Sequence, residues 1–129
     1  MQLLLEQLRN INFSADVYTF GSPRVGNEPF AAFITAQMLQ LGRNYRMTHE
    51  NDPLPQLPPT WIGYQHTTPE FWLTNGTDTT DLYAADEIVG CEGIGSEECN
   101  VGTGLVPIDG TAHDHYFGDI SGCQGSVAF

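Results

Sequence analysis

Two polar residues on separate loops are the first candidates for chemistry in this sequence. Asp52 follows a predicted strand and precedes a run of prolines, which restricts the backbone just behind its carboxylate. His113 lies on a later loop, residues 111–118. A histidine can take a proton from a nucleophile while an aspartate orients the imidazole and stabilises its cation. The pair therefore offers two of the three members of a catalytic triad, although a chain of this size often contains such a pair by chance.

The strands that would position these residues belong to a parallel sheet. Residues 16–20 are β-branched and aromatic and predict a buried strand, and residues 45–48 predict a second strand. In open parallel sheets, functional residues gather beyond the C-terminal ends of the strands. Here those ends are residues 21–24 and 49–52, and the second of them carries Asp52.

The segment between the two strands has the signals of a helix. Asn27 is a typical N-cap, Pro29 is tolerated in the first turn, and Gly42 is a typical stop. A strand, a helix and a second strand within about thirty residues predict a βαβ unit. The apolar positions of the helix share one face: Phe30, Phe33, Ile34, Met38 and Leu41.

The rest of the chain supports one α/β domain. Prolines rule out a helix through residues 52–60, short strands are predicted at residues 71–73 and 87–89, and residues 90–110 are rich in glycine. We find no repeat and no interdomain linker. The expected architecture is a mostly parallel sheet with flanking helices and a loop-rich C-terminal part. A further helix is predicted at the N-terminus from the spacing of Leu4, Leu5, Leu8 and Ile11.

The composition argues against two classes of partner. The chain has 129 residues with 4 Lys+Arg and 16 Asp+Glu, which gives a formal net charge of −12. Nucleic acids and anionic membrane surfaces are bound through clustered basic residues, so neither is an expected partner. No apolar run approaches the roughly 18 residues of a membrane span. The first residues also lack the basic region and the long apolar stretch of a signal peptide.

Cysteines and sequons favour a secretory environment. Cys91 and Cys99 lie in one short loop and could close a small disulfide. Cys123 would then be a free thiol or would pair with a cysteine outside this sequence. Asn12 and Asn75 each begin an N-glycosylation sequon, although sequons this short also occur by chance.

Four ordered blocks resemble the secreted fungal class-3 lipases. Residues 48–59 (THENDPLPQLPP) resemble the aspartate loop of that family, and residues 112–118 (AHDHYFG) resemble its histidine loop. Residues 18–27 (YTFGSPRVGN) resemble the strand and turn just after its nucleophile helix, and residues 63–72 (GYQHTTPEFW) resemble a third block. The blocks span nearly the whole chain, and the resemblance implies an α/β-hydrolase fold.

The resemblance also implies where the triad lies. It assigns Asp52 as the acid and His113 as the base, but the sequence contains no G-x-S-x-G, the motif that carries the nucleophile in α/β-hydrolases. Ser22 lies on the turn after the following strand in the family pattern, so it is not expected to be the nucleophile. The nucleophile is expected upstream of Met1, which makes residues 1–129 the C-terminal half of a single α/β-hydrolase domain.

The expected function is hydrolysis of carboxylic esters by an extracellular enzyme. A triacylglycerol lipase acting on lipid esters is preferred, and a feruloyl esterase of the same fold acting on aryl esters stays open. A catalytically inactive truncated fragment also stays open, because the nucleophile motif is absent and the isolated chain is expected to be inactive. Within this interpretation, Cys123 is expected to pair with a cysteine of the missing N-terminal segment.

A metal site is the alternative interpretation of the histidine loop. Two histidines and two aspartates lie close together there: His113, Asp114, His115 and Asp119. Structural zinc sites need three or four ligands and an ordered second layer of hydrogen bonds. Because the loop resembles the histidine loop of a triad, we expect no metal and no organic cofactor.

Overall fold

The centre of the structure is a sheet whose parallel strands end at one edge. The structure is a computed structural model that describes residues 14–104 and 110–123. Within these residues the main sheet has four strands, of which the first three in spatial order are parallel and the last is antiparallel. This mostly parallel sheet agrees with the predicted class. The elements in chain order are β1 (Val17–Phe20), β2 (Gly26–Asn27), α1 (Glu28–Leu41), β3 (Asn44–His49), β4 (Tyr64–Gln65), β5 (Glu70–Leu73) and β6 (Ile88–Cys91).

The order of the main sheet is β1-β3-β5-β6, so β1 lies at its edge. It pairs in parallel with β3, from Val17 opposite Asn44 to Phe20 opposite Met47. Tyr18 is 59% exposed and Phe20 is 44% exposed on one face of β1, whereas Val17 and Thr19 on the other face are partly buried. The prediction of a strand is confirmed here, and the prediction that this strand is buried is wrong for the described residues.

The helix α1 begins and ends at the predicted capping residues. Asn27 Oδ1 accepts a hydrogen bond from the Phe30 N–H at 3.1 Å, and the N–H of Gly42 bonds back onto the last turn. The predicted apolar face is only partly buried, since Phe33 and Leu41 are exposed. Among the described elements, α1 packs mainly against β2 and β4, which form a separate two-stranded antiparallel sheet.

The apolar core centres on the C-terminal ends of β3 and β5. Its buried members are Met47, Leu73 and Tyr116. Beside it, the parallel register places Arg46 next to Glu70, and the two form a buried ion pair at 2.8 Å. Partly buried side chains complete the cluster: Tyr45, Phe71, Tyr83 and Ile88.

The C-terminal part is rich in loops, as the sequence predicts. A disulfide joins Cys91 on β6 to Cys99. The predicted N-terminal helix, Asn12 and the side chain of Cys123 lie outside the described residues. No helix in the described ranges is long and apolar enough to cross a membrane. Short 3₁₀ turns include Leu54–Gln56, Thr60–Ile62, Cys99–Thr103 and Thr111–Asp114.

Candidate active site

The carboxylate of Asp52 is buried and has hydrogen-bond partners on both oxygens. Oδ1 accepts a hydrogen bond from the Leu54 N–H at 2.9 Å. Oδ2 lies 3.0 Å from His113 Nδ1 and 2.6 Å from Tyr116 Oη. The N–H of Asp52 donates to the His49 carbonyl at 2.8 Å. The turn that follows β3 therefore fixes both the backbone and the side chain of Asp52.

His113 reaches Asp52 from the 3₁₀ turn Thr111–Asp114. In this turn the His113 N–H donates to the Gly110 carbonyl at 2.9 Å. The His113 side chain is 29% exposed, whereas that of Asp52 is fully buried. The structure thus brings together the two residues that the sequence singles out. Because Nδ1 faces the carboxylate, Nε2 is the ring nitrogen left for proton exchange with another group.

Tyr116 is a third member of this group, and sequence analysis missed it. Its hydroxyl donates to Asp52 Oδ2, the same oxygen that faces His113. Burial, and then the negative charge of Asp52, raises the pKa of Tyr116, so the hydroxyl stays protonated and remains a donor. Tyr116 belongs to the quoted histidine loop, but spacing in a non-helical loop does not show which side chains converge.

A glycine makes room for the pair. Gly21 directly follows β1 and has a φ of +58°, a conformation that glycine adopts without the strain of a side chain. A Cβ built on Gly21 would lie 2.7 Å from His113 Nδ1 and 2.9 Å from Asp52 Oδ2. The close packing of three segments at this point therefore requires glycine.

Asn100 holds the backbone of the Asp52 turn and was also missed. It is fully buried, and its Nδ2 donates to the carbonyl of Glu50 at 3.1 Å and to that of Asp52 at 3.0 Å. Its own N–H donates to Glu70 Oε1 at 3.2 Å. Because Asn100 directly follows Cys99, these bonds join the disulfide loop to the turn that carries the carboxylate.

Arg24 ties the turn after β1 to the proline run. Its guanidinium donates to the carbonyls of Gln56 and Pro58, the latter at 3.0 Å. Its backbone N–H donates to the Leu57 carbonyl at 2.7 Å. Burial, and then the charge of Arg46, lowers the pKa of Arg24. The two loops that flank the candidate site are therefore fastened to each other by backbone-directed hydrogen bonds.

His66 and His115 lie against backbone carbonyls and not against a carboxylate. His66 Nε2 lies 2.6 Å from the Pro55 carbonyl, and His115 Nδ1 lies 3.1 Å from the Thr111 carbonyl. Burial, and then the charge of Arg46, lowers the pKa of His66 to about 3, so this ring is neutral near pH 7. Across residues 14–104 and 110–123, no three His, Cys, Asp or Glu side chains are grouped as metal ligands would be.

The arrangement of Asp52 and His113 can orient a histidine base and stabilise its cation. A carboxylate on Nδ1 fixes the tautomer in which Nε2 has a lone pair for a proton from a nucleophile. The structure shows no such nucleophile on the described serines. Ser22 Oγ donates to the Pro23 carbonyl at 3.3 Å, and no described serine hydrogen-bonds to His113.

Comparison with known proteins gives consistent matches. The model of the family described as lipase (class 3) matches residues 2–61. The secreted mono- and diacylglycerol lipase 1 of Fusarium solani is 47% identical over 116 residues, which cover 90% of this chain and 33% of that protein. This chain spans about a third of the length of its Fusarium and Penicillium relatives.

Solved structures agree with the sequence matches. The mono- and diacylglycerol lipase from Aspergillus oryzae superposes with a TM-score of 0.74 at 35% identity, covering 95% of this chain and 44% of that one. A triacylglycerol lipase, whose catalytic centre is described as a serine protease triad, superposes with a TM-score of 0.66 at 29% identity, covering 89% and 41%. Together with the mostly parallel sheet, these similarities confirm the predicted α/β-hydrolase fold class.

Proposed function

This chain belongs to the class 3 lipase family, and from that premise we propose that it supplies the acid and the base of a Ser–His–Asp triad in a carboxylic ester hydrolase. The observation that carries the proposal is the 3.0 Å contact between Asp52 Oδ2 and His113 Nδ1. A buried carboxylate on one ring nitrogen, with the imidazole partly exposed, is the arrangement that a histidine base requires.

In the proposed reaction a serine attacks the ester carbonyl. His113 Nε2 takes the serine proton and then gives it to the leaving alcohol, which leaves the acyl group on the serine. A water molecule then attacks this acyl group, His113 Nε2 takes the water proton and returns it to the serine oxygen, and the carboxylic acid is released. Asp52 keeps Nδ1 protonated and offsets the charge of the imidazolium, while Tyr116 and the Leu54 N–H hold the carboxylate in place. Backbone N–H groups outside this chain would stabilise the oxyanion.

We propose that the serine lies outside these 129 residues. No G-x-S-x-G occurs in the sequence, and the chain spans about a third of its curated relatives. In this proposal residues 1–129 form the C-terminal part of a single hydrolase domain. The isolated chain should then give no hydrolysis of a p-nitrophenyl ester above background. Turnover by the isolated chain that disappears in His113→Ala would overturn the missing-nucleophile argument.

The proposed substrates are acylglycerols. Support comes from two relatives, whose names describe mono- and diacylglycerol lipases. The sequence favours triacylglycerol, so this substrate is compared with mono- and diacylglycerols in the same assay. A feruloyl esterase is the second candidate of the same fold. Relative rates on mono-, di- and triacylglycerols and on methyl ferulate distinguish these substrates, and a preference for the aryl ester would reject the acylglycerol proposal.

We propose that the protein is extracellular and glycosylated at Asn75. The names of the Fusarium and Penicillium relatives describe secreted proteins, the chain has a disulfide, and Asn75 is exposed on a turn. Cys123 is proposed to pair with a cysteine outside this chain. Thiol titration of the isolated chain should therefore find one reactive thiol, and three reactive thiols under oxidising conditions would contradict the pairing of Cys91 with Cys99.

The decisive experiment is a chimera in which this chain replaces the matching segment of the Fusarium solani relative. The chimera should hydrolyse acylglycerols, and Asp52→Ala or His113→Ala should reduce the rate roughly a thousandfold or more. His115→Ala is the matched control, because it removes a histidine from the same loop without touching Asp52. Near-full activity of the Asp52 or His113 variant would reject the assignment.

A further inference from the structure

We propose that His49 is a positioning residue for this reaction. Its neutral imidazole holds the loop that carries His113, and Tyr83 holds the imidazole from its other side. The effect on turnover rests on the proposed ester hydrolysis, whereas the state of the His49 ring is a property of this chain alone.

The first contact joins His49 to the histidine loop. His49 is the last residue of β3 and is fully buried. Its Nδ1 lies 2.9 Å from the carbonyl oxygen of Ala112. A carbonyl can only accept, so Nδ1 carries the hydrogen of this bond. Ala112 is itself fully buried and directly precedes His113, so the bond fixes the backbone from which the His113 ring projects.

The second contact joins His49 to Tyr83. With the hydrogen on Nδ1, a neutral ring has its lone pair on Nε2, and Tyr83 Oη lies 2.5 Å from that atom. Burial, and then the charge of Glu50, raises the pKa of Tyr83 to about 12, which keeps the hydroxyl protonated and able to donate. The two rings meet edge to face, with centroids 5.7 Å apart.

The surroundings of His49 favour a neutral ring. The neighbouring carboxylates have other partners, since Asp52 Oδ2 accepts from Tyr116 and Glu50 Oε1 accepts from the Gly76 N–H at 2.7 Å. The ring of Tyr116 packs against the imidazole with centroids 5.6 Å apart. A buried imidazolium without a carboxylate partner would be costly, and both ring nitrogens already have neutral partners.

His49 and Tyr116 therefore act on opposite members of the pair. Tyr116 orients Asp52 through a side-chain hydrogen bond, whereas His49 fixes the backbone next to His113. Tyr83 lies on the segment between β5 and β6 and bonds to His49. A displacement of that segment would therefore move His49 and, through it, the backbone next to His113.

The state of the ring is measured on the ¹⁵N-labelled chain. Long-range ¹H–¹⁵N spectra at pH 7 should show His49 as the tautomer with hydrogen on Nδ1, and His49→Asn identifies the signal by its loss. An Nε2–H tautomer or an imidazolium would overturn the proposal. This readout does not depend on any ester hydrolysis.

The effect on turnover is measured in the chimera. His49→Leu removes both hydrogen bonds and should lower kcat roughly tenfold with less than about a twofold change in KM. His49→Asn keeps a donor near the position of Nδ1, so it should recover most of kcat. Tyr83→Phe should lower kcat roughly threefold, with Tyr64→Phe, on the other sheet, as the matched control.

The outcomes separate the two proposals. Unchanged kcat in a folded His49→Leu chimera, or equal losses in the Leu and Asn variants, would overturn the positioning role. If the Leu variant does not fold, the comparison of Tyr83→Phe with Tyr64→Phe decides, and equal rates would overturn the role. A chimera that shows no hydrolysis before any substitution counts against the proposed function. In that case the position of the hydrogen on the His49 ring, measured by NMR, is the remaining test of the proposed His49 contacts.

Discussion

Gly21 and His113 are packed so closely that no side chain fits between them. A Cβ on Gly21 would lie 2.7 Å from both Cε1 and Nδ1 of the His113 ring, and the same atom would lie 2.9 Å from Asp52 Oδ2. Gly21, which directly follows β1, thus lies against the contact between Asp52 and His113.

Substitution of Gly21 by alanine should separate Asp52 from His113. The variant combines a clash with the imidazole and a φ of +58°, which strains any residue with a side chain. In the chimera we expect hydrolysis to fall by roughly a hundredfold or more. Initial rates on a diacylglycerol measure the effect.

Gly63→Ala is the matched control for this experiment. Gly63 also has a positive φ, +92°, but a Cβ there would meet no atom within 4 Å. Both variants should lose about 1 kcal/mol or more of unfolding free energy from backbone strain, and only Gly21→Ala should lose activity. Equal rates in the two variants would contradict the inference that the contact between Asp52 and His113 requires glycine at position 21.

Tyr116→Phe should destabilise the chain and, in the chimera, slow hydrolysis. The substitution removes the O–H that donates to the buried Asp52 carboxylate, a hydrogen bond to a charged acceptor worth about 1.5–3 kcal/mol. Urea unfolding measures the loss. Tyr18→Phe, on the exposed edge of β1, should leave the stability unchanged. A Tyr116→Phe chain as stable as the parent would show that the carboxylate does not depend on this donor.

His66 should make the stability depend on acid pH. Its pKa in the folded chain is about 3, below the ordinary 6.5, so the unfolded chain binds a proton that the folded chain does not. This contribution is complete above pH 6.5 and is lost as the pH falls toward 3. Between pH 6.5 and 5 the parent should lose about 1.5–2 kcal/mol more than His66→Gln. Urea unfolding at both pH values tests this, and parallel losses would contradict it.

Reduction of the disulfide should weaken the fold. The bridge from Cys91 to Cys99 closes a short loop, and its removal should cost about 2–3 kcal/mol. Because Asn100 follows Cys99 and holds the Asp52 carbonyl, activity in the chimera should fall as well. The measurement is unfolding with and without reductant. In the isolated chain, the double variant Cys91→Ser, Cys99→Ser should not respond to reductant, and a response there would point to another disulfide.

The sequence predicted correctly the helix caps, which depend on residues close to one another along the chain. The caps at Asn27 and Gly42 depend on backbone geometry within one turn, and the structure confirms both. The exposure of β1 was misjudged because apolar composition does not show whether another element covers each face of a strand. The described part of the chain places only β3 beside it.

By itself, the sequence determined the α/β class, the helix caps and the two residues proposed as acid and base, because these follow from short-range patterns and from blocks that resemble a known family. Only the tertiary structure decided what surrounds the pair. Tyr116, Asn100 and Gly21 approach Asp52 from different segments, 64 and 48 residues away along the chain in the case of Tyr116 and Asn100. Such contacts depend on how loops meet at the edge of the sheet. The spacing of residues within one segment does not show how far that segment lies from another.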